Sequence, residues 1–211
     1  FFKRNLERLK ALRIKRSVLI FGAAVILVII AAVYLQFRVS REYDILSSSQ
    51  NEDTQSSKYI SLGRNLLKFG NEGVSLLDQS QQVLWNQTYE MTDPAVDVSG
   101  DYAVIYDKNG TSMYVVQEER AVGAIDVKFP IRKAKAAQNG AVAAILEDGE
   151  KTWVNYYASD GSLIAENQTS MENPGYPVDL AVAPNGESIL VSYFQLENGI
   201  VSSYVACYNF G

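Results

Sequence analysis

The sequence predicts a membrane protein with one N-terminal transmembrane α-helix followed by an all-β domain. Two observations lead to this fold class. An uncharged, proline-free stretch of 21 residues runs from Ser17 to Phe37. From Lys58 onward, short runs of β-branched and aromatic residues alternate with Gly, Asn, Asp and Ser turns, which is the pattern of antiparallel strands.

The uncharged stretch 17–37 has the length of a membrane span. As a helix it would reach about 31 Å, close to the thickness of a bilayer's hydrocarbon core. Seven basic residues and one acidic residue precede it, and Lys and Arg near a span favour the cytoplasmic side. A cleaved signal peptide would have a shorter apolar region and a small-residue cleavage site, whereas this stretch ends on bulky residues. The sequence therefore predicts an uncleaved anchor with residues 1–16 as a basic cytoplasmic tail.

The residues after the span divide into a linker and a domain. The segment 47–57, SSSQNEDTQSS, has no apolar residue, and such composition is typical of a flexible linker. We therefore expect residues 38–57 to form a polar extracytoplasmic tether. Residues 58–211 then form the β domain outside the membrane.

Composition excludes several functional classes. Beyond residue 16 the chain carries 12 basic and 23 acidic residues, a net charge of −11, which speaks against the basic face that nucleic-acid binding needs. The chain has no His, so catalytic triads and metal sites that depend on His are excluded. The single Cys207 cannot form an internal disulfide. Because it lies in an apolar run, we expect it to be a small core residue.

Fourteen strand-like runs follow the tether, and no helix is predicted among them. Several are joined by Asn-Gly or Asp-Gly pairs, which are strong signals for β-hairpins. The predicted runs are 65–69, 74–78, 82–88, 95–99, 102–107, 111–117, 121–127, 132–137, 141–146, 152–158, 162–166, 178–183, 188–194 and 200–210. Consecutive hairpins of this kind form antiparallel meanders.

A repeat organises these runs. The fragment Val96–Asp101 recurs as Val178–Gly186, with Ala134–Gly140 between them. Their turn glycines lie at positions 100, 140 and 186, and four strands per 40–46 residues is the period of a β-propeller blade. The sequence therefore predicts a partial β-propeller of antiparallel four-stranded blades.

Two segments resemble known propeller repeats. Residues 181–192, AVAPNGESILVS, resemble the inner-strand motif of WD40-like propellers. Residues 73–85, GVSLLDQSQQVLW, resemble the outer hairpin of quinoprotein-like repeats, in which the tryptophan packs between neighbouring blades. The whole layout also resembles a family of membrane proteins of unknown function from Gram-positive bacteria. That resemblance implies a fold and a location only.

The sequence accommodates about three and a half blades. The first blade is predicted at about 58–92, the second ends at about 130 and the third at about 174. The fourth continues from there to 211 without an outer strand. Since propellers close with about 4–8 blades, three readings are open. The chain is cut at its C-terminus, a partner completes the ring, or the sheets form an open or sandwich-like stack. We expect truncation, because the sequence begins at Phe1 and ends abruptly.

Carboxylates are the remaining candidates for chemistry. Asp97 and Asp179 occupy equivalent repeat positions on predicted inner strands, where they could face a central channel and bind a cation or substrate. The favoured interpretation is a structural Asp that bonds a neighbouring loop. We expect Asp107, Asp148 and Asp160 to bond the backbone of their own turns.

The other candidates are aromatic and basic. We expect Trp85 and Trp153 to be core residues rather than ligand-stacking ones. Lys133 and Lys135 alternate on one strand and are predicted to face solvent, with a small anion-contact patch as the alternative. Nucleotide-binding, serine-hydrolase and EF-hand motifs are absent from the sequence. The prediction is therefore no catalytic, cofactor-binding or metal-ligating residue, no cofactor and no enzymatic activity.

These observations favour a binding or scaffolding module of the cell envelope. The expected location is the cell membrane, single-pass, with the N-terminus cytoplasmic and the C-terminal domain extracytoplasmic. Expected partners are the lipid bilayer and a protein or glycan, which loops on a rigid frame suit. One alternative is a membrane sensor that relays outer ligand binding to a cytoplasmic partner. Another is a truncated envelope enzyme.

Overall fold

The chain divides into two units, Phe1–Ile45 and Leu46–Gly211. The computed structural model describes residues 16–36, 57–149, 151–171 and 173–211. The predicted cytoplasmic tail, except Arg16, and the predicted tether up to residue 56 lie outside the described residues. In the first unit, helix α1 covers Arg16–Gln36, 21 residues, one residue earlier at each end than the predicted span. No helix within the described part of the chain qualifies as long and apolar enough to cross a membrane.

The second unit is built from antiparallel sheets that follow one another along the chain. The first sheet contains four strands: β1 Lys58–Leu62, β2 Asn65–Gly70, β3 Gly73–Leu77 and β4 Val83–Thr88. The second sheet contains four more: β5 Pro94–Ser99, β6 Tyr102–Asp107, β7 Ser112–Gln117 and β8 Ala121–Asp126. Sequential strands pair with each other, so each sheet is a meander with its first strand at one edge.

The third and fourth sheets continue this arrangement. The third sheet consists of β9 Ile131–Ala136, β10 Val142–Asp148, β11 Lys151–Tyr157 and β12 Leu163–Thr169. The fourth has three strands among the described residues: β13 Tyr176–Val182, β14 Ser188–Glu197 and β15 Ile200–Asn209. The predicted fold class is thus confirmed in its coarser form, a mostly β domain of four-stranded antiparallel sheets.

Three apolar clusters hold neighbouring sheets face to face. The cluster between the first and second sheets includes Leu62, Leu67, Leu76, Ala103 and Ile105. The cluster between the second and third includes Val104, Met113, Ile131, Ala144 and Trp153. The cluster between the third and fourth includes Ala143, Ile145, Tyr156, Val191 and Tyr193. The two middle sheets are therefore covered on both faces, which explains the unbroken apolar runs of β6 and β10.

Two details differ from the sequence prediction. Strand β1 was not among the predicted runs, although Ile60 and Leu62 alternate with polar residues there. Strand β14 continues to Glu197 and forms a hairpin with β15 through Asn198 and Gly199. Both turn residues have positive φ, 51° and 77°, as a two-residue hairpin turn requires. The Asn-Gly pair was the available signal for this longer hairpin.

Candidate functional site

The charged residues singled out in the sequence come together around strand β9. This strand has the sequence Ile131-Arg-Lys-Ala-Lys-Ala136, in which Ala134 and Ala136 are buried against the second sheet. Because side chains alternate between the two faces of a strand, Lys133 and Lys135 lie together on the opposite face. β9 lies beside β5 of the second sheet on one side and β13 of the fourth sheet on the other. Its cations therefore lie within reach of two other sheets.

Lys135 joins the third sheet to the second. Its Nζ lies 2.5 Å from Oδ1 of Asp97 on β5, and Asp97 Oδ2 accepts a hydrogen bond from the backbone N–H of Ala136 at 3.0 Å. The side chains are 34% and 19% exposed, respectively. The hydrogen bond to Asp97 raises the pKa of Lys135 above its ordinary value, because it stabilises the charged ammonium.

Lys133 joins the third sheet to the fourth. Its Nζ lies 2.5 Å from Oδ1 of Asp179 on β13, and that oxygen also accepts the backbone N–H of Leu180 at 2.7 Å. The Lys133 side chain is 32% exposed and that of Asp179 57%. The hydrogen bond from Lys133 is the main cause of the lowered pKa of Asp179. The prediction that Lys133 and Lys135 face solvent is wrong, because each is partly buried in an ion pair between sheets.

Arg132, the third cation of β9, belongs to a cluster that sequence reasoning missed. Its guanidinium pairs with Glu147 at the end of β10 and donates to Oδ1 of Asn109 at 2.6 Å. Tyr176 of the fourth sheet donates its hydroxyl proton to the same Glu147 carboxylate at 2.8 Å. The pKa of Glu147 is lowered, mainly by the hydrogen bond from Arg132. Burial acts in the opposite direction, and the hydrogen bond from Tyr176 lowers the pKa further. No local motif signals this cluster, because its members are separated by 15 to 67 residues.

The arrangement is suited to fastening sheets together. Each of the three β9 cations is paired with a carboxylate of the same domain, so its charge is compensated within the domain. The sequence predicts Asp97 and Asp179 to be structural, with a cation or substrate site as the alternative. In the structure each of them pairs with a lysine. Within the described ranges, no group of three or more His, Cys, Asp or Glu side chains could hold a metal ion. The site therefore supplies charge pairing, and two of its three ion pairs join the third sheet to its neighbours.

The remaining sequence candidates have mixed outcomes. Asp107 bonds an earlier connection instead of its own turn: its Oδ1 accepts the N–H groups of Thr92 and Asp93 at 3.0 and 2.8 Å. Asp160 does bond its own turn, accepting from the N–H of Ser162 at 2.9 Å. Cys207 is exposed, so its prediction as a core residue is wrong. It alternates with Ala206 and Tyr208, which pack toward the third sheet.

Trp153 is a core residue, as predicted, whereas Trp85 is only partly buried, against the apolar cluster between the first and second sheets. Trp153 is 7% exposed, and its ring stacks on Phe129 with centroids 4.0 Å apart. Trp85, on outer strand β4, donates its indole N–H to the carbonyl of Glu118 in the second sheet's β7–β8 turn, at 3.0 Å. Gly123 occupies the corresponding place on β8, where a Cβ would collide with the backbone of Ser159 in the β11–β12 turn. The last turns of the second and third sheets thus pack on the last strand of the sheet before them.

A cavity of about 420 Å³ lies between the third and fourth sheets, near their first turns. Tyr156, Ile164 and Phe210 contribute its apolar lining. Its polar groups bond to one another: the Tyr156 hydroxyl donates to the Gly186 carbonyl at 2.5 Å, and the Asn139 amide to the Asn185 carbonyl at 3.1 Å. These bonds stabilise the two turns.

Glu147 provides a pH-dependent prediction. Its pKa in the folded chain lies below the ordinary value of 4.5, so the unfolded chain takes up this proton first as the pH falls. The stabilisation is fully present above about pH 4.5 and is lost as the pH falls through the lower folded-state pKa. We expect Glu147→Gln to lower the free energy of unfolding at pH 7 by about 1 kcal/mol. The free energy of unfolding of this variant should also fall less steeply as the pH is lowered.

Urea unfolding of the chain at a series of pH values measures this effect. The matched control is Glu72→Gln, at an exposed position of the β2–β3 turn, which should leave both the neutral value and the acid decline unchanged. An acid decline identical in Glu147→Gln and the parent chain would show that Glu147 does not contribute.

Comparison with protein families decides the chain's affiliation. The model of DUF5711, a family of unknown function, matches residues 36–211. The chain belongs to this family. The DUF5711 match covers every described strand of the β domain. No curated protein matches the sequence.

Solved structures show the same fold class for this DUF5711 member. Hsv2 of Kluyveromyces lactis is similar with 13% identity and a TM-score of 0.50, over 75% of this chain and 49% of that one. The Pan2 WD40 domain of Neurospora crassa gives 15% identity and a TM-score of 0.46, over 74% and 48%. A protein of unknown function from Bacteroides caccae gives 15% and 0.41, over 74% and 62%. The chain thus spans about half the length of the first two.

At such low identity the likeness shows the fold alone. The predicted resemblance to WD40 β-propellers is confirmed as structural similarity, in a chain of the DUF5711 family. The predicted membrane location and Gram-positive origin stay predictions.

Proposed function

We propose that this chain is a membrane-anchored binding or scaffolding module of the cell envelope, which displays its propeller-like domain outside the membrane. The observation that carries the proposal is that the charged side chains around β9 are paired with one another. All three cations of this strand are paired with carboxylates, and two of the pairs lie between sheets. Such groups stabilise a frame, which leaves the surrounding turns and faces as the surface for a partner.

The anchor is the part of the proposal that rests on the sequence. The stretch 17–37 is uncharged, and seven basic residues precede it. Helix α1 covers nearly the same residues, and its large apolar side chains are exposed, with Ile20 at 70% and Phe21 at 73%. Apolar side chains around a whole helix favour an apolar environment. The basic flank favours a cytoplasmic N-terminus.

Cysteine labelling in intact cells tests the orientation. Two variants in a Cys207→Ser background carry a single cysteine each, Val83→Cys in the β domain and Lys10→Cys in the tail. Val83 is 60% exposed, so a membrane-impermeant maleimide should label Val83→Cys in intact cells. It should label Lys10→Cys only after lysis. Labelling of Lys10→Cys alone in intact cells, or of neither variant before lysis, would contradict the outward orientation.

The binding role is tested by photo-crosslinking in the same cells. A photoreactive residue at exposed Met171 or Asn185 should give a discrete adduct with an envelope protein or glycan. The same residue at fully buried Val104 is the control and should give none. If no exposed position yields an adduct above the background measured at Val104, the result would argue against a binding module.

A further inference from the structure

The β14–β15 hairpin is longer than the other hairpins of the β domain. Its two strands have ten residues each, whereas the corresponding strands of the third sheet, β10 and β11, have seven. Three further residues in a strand add about 10 Å of length, so a neighbouring sheet of ordinary strand length does not reach the tip. Asn198 and Gly199 at the tip are exposed, as are Leu196 and Ile200 beside them, at 42% and 71%.

The tip carries one of the four Asn-Gly pairs of the chain, which lie at 109–110, 139–140, 185–186 and 198–199. Asparagine before glycine is the dipeptide that deamidates most readily, because glycine has no Cβ to hinder its own nitrogen. The glycine nitrogen attacks Cγ of the asparagine, a C–N bond forms, and the bond from Cγ to the side-chain nitrogen breaks. Ammonia leaves with the proton of the attacking nitrogen, and water then opens the succinimide ring to aspartate or isoaspartate.

The attacking nitrogen is held in place in three of these pairs. The N–H groups of Gly110, Gly140 and Gly186 each donate to the backbone carbonyl three residues earlier, at 3.0, 3.0 and 2.9 Å. A nitrogen held in this way can reach Cγ only after its turn opens locally. Among the residues that the structure describes, the N–H of Gly199 makes no hydrogen bond of this kind.

The attacked side chain is held in the same three pairs. Hydrogen bonds run from the Arg132 guanidinium to Asn109, from the N–H of Ala141 to Asn139, and from Asn185 to the Glu187 carboxylate, at 2.6, 3.0 and 2.7 Å. The Asn198 side chain has no hydrogen-bond partner within the described part of the chain. Both reacting groups of the fourth pair are therefore able to move.

The space around the glycines shows the same difference. Nothing lies within 4 Å of the position that a Cβ on Gly199 would occupy, so the tip can change conformation without displacing a neighbour. At the other three glycines this position is taken by the side chains of Asp107, Tyr102 and Asn139. A turn packed in this way resists the rearrangement that brings nitrogen and Cγ together.

We propose that Asn198 is a site of spontaneous deamidation, with water as the co-reactant, which converts the tip of the β14–β15 hairpin to aspartate or isoaspartate. Aspartate adds a negative charge next in sequence to Glu197. Isoaspartate also adds a methylene group to the backbone of a two-residue turn that joins the paired residues Glu197 and Ile200. The modification thus changes the charge and the shape of the tip, and the inference is independent of the proposed function.

The test is incubation of the full 211-residue chain in nonionic detergent at neutral pH and physiological temperature, followed by peptide mapping with mass spectrometry. Deamidation at Asn198 should be at least about tenfold faster than at each of the other three asparagines, because each hydrogen bond that must break first lowers the reactive population about fivefold. In the same experiment in urea, all four Asn-Gly pairs should react at similar rates, since the structure no longer distinguishes them.

Two variants assign the product independently. Asn198→Gln should remove the early acidic species seen by ion-exchange chromatography, because a glutamine side chain is one methylene too long to form the succinimide. The matched control is Asn185→Gln, in another exposed Asn-Gly turn, which should leave that species in place. Equal rates at the four asparagines of the folded chain would overturn the proposal. So would a preference for Asn198 that persists unchanged in urea, because the structure would then not be its cause.

Discussion

Replacing Trp153 by alanine is expected to lower the free energy of unfolding by about 3–5 kcal/mol, the usual cost of removing a buried tryptophan side chain. Trp153 is 7% exposed and belongs to the apolar cluster between the second and third sheets. Its ring stacks on Phe129 at 4.0 Å, so the change removes apolar burial and an aromatic contact together. The cavity would open between two sheets rather than within one.

Chemical denaturation monitored by far-UV circular dichroism measures this change. The control is Trp153→Phe, which keeps an aromatic ring against Phe129 and should cost clearly less than the alanine variant. A Trp153→Ala chain within about 1 kcal/mol of the parent would mean that this junction does not hold the two sheets together.

Replacing Lys135 by methionine is the second large change. Methionine keeps most of the apolar stem but removes the charge, so the Asp97 carboxylate, 19% exposed, retains only the N–H of Ala136 as a hydrogen-bond partner from β9. A partly buried carboxylate without its cation is costly. Because Lys135 is about a third exposed, water reduces the effect, and we expect a loss of about 1–2 kcal/mol.

The same denaturation measurement applies to Lys135→Met. Its matched control is Lys151→Met, at an exposed lysine of β11 in the same sheet, which should change the free energy of unfolding by no more than about 0.5 kcal/mol. Equal effects of the two substitutions would show that the pair with Asp97 adds nothing beyond an ordinary surface charge.

The strands were predictable from sequence because their signals are local. The Asn-Gly and Asp-Gly turns and the unbroken apolar runs of β6 and β10 lie within a few residues of each other, and the structure has strands beside each of them. The repeat of the turn glycines 100, 140 and 186 also predicted sheets of about four strands. Only the short, polar-alternating β1 and the far end of β14 escaped this reasoning.

The errors concern which face of a strand is covered. Alternation shows that Cys207 points opposite to Ala206 and Tyr208, but it cannot tell which of the two faces meets another sheet. In the same way, alternation separates Lys133 and Lys135 from the buried alanines of β9, but it does not show which residues the two lysines contact. Their partners, Asp179 and Asp97, come from other sheets 46 and 38 residues away in the chain. Such pairs are set by the packing of sheets, which no local pattern contains.

A double-mutant cycle across Asp97 and Lys135 tests most directly the claim that the charges of β9 fasten neighbouring sheets. The free energy of unfolding is measured for the parent, Asp97→Asn, Lys135→Met and the double variant. The structure predicts a favourable coupling of about 1 kcal/mol, because the two side chains are in contact and partly shielded from water. Single effects that add to within about 0.3 kcal/mol would contradict the claim, because Asp97 and Lys135 would then not couple the second and third sheets.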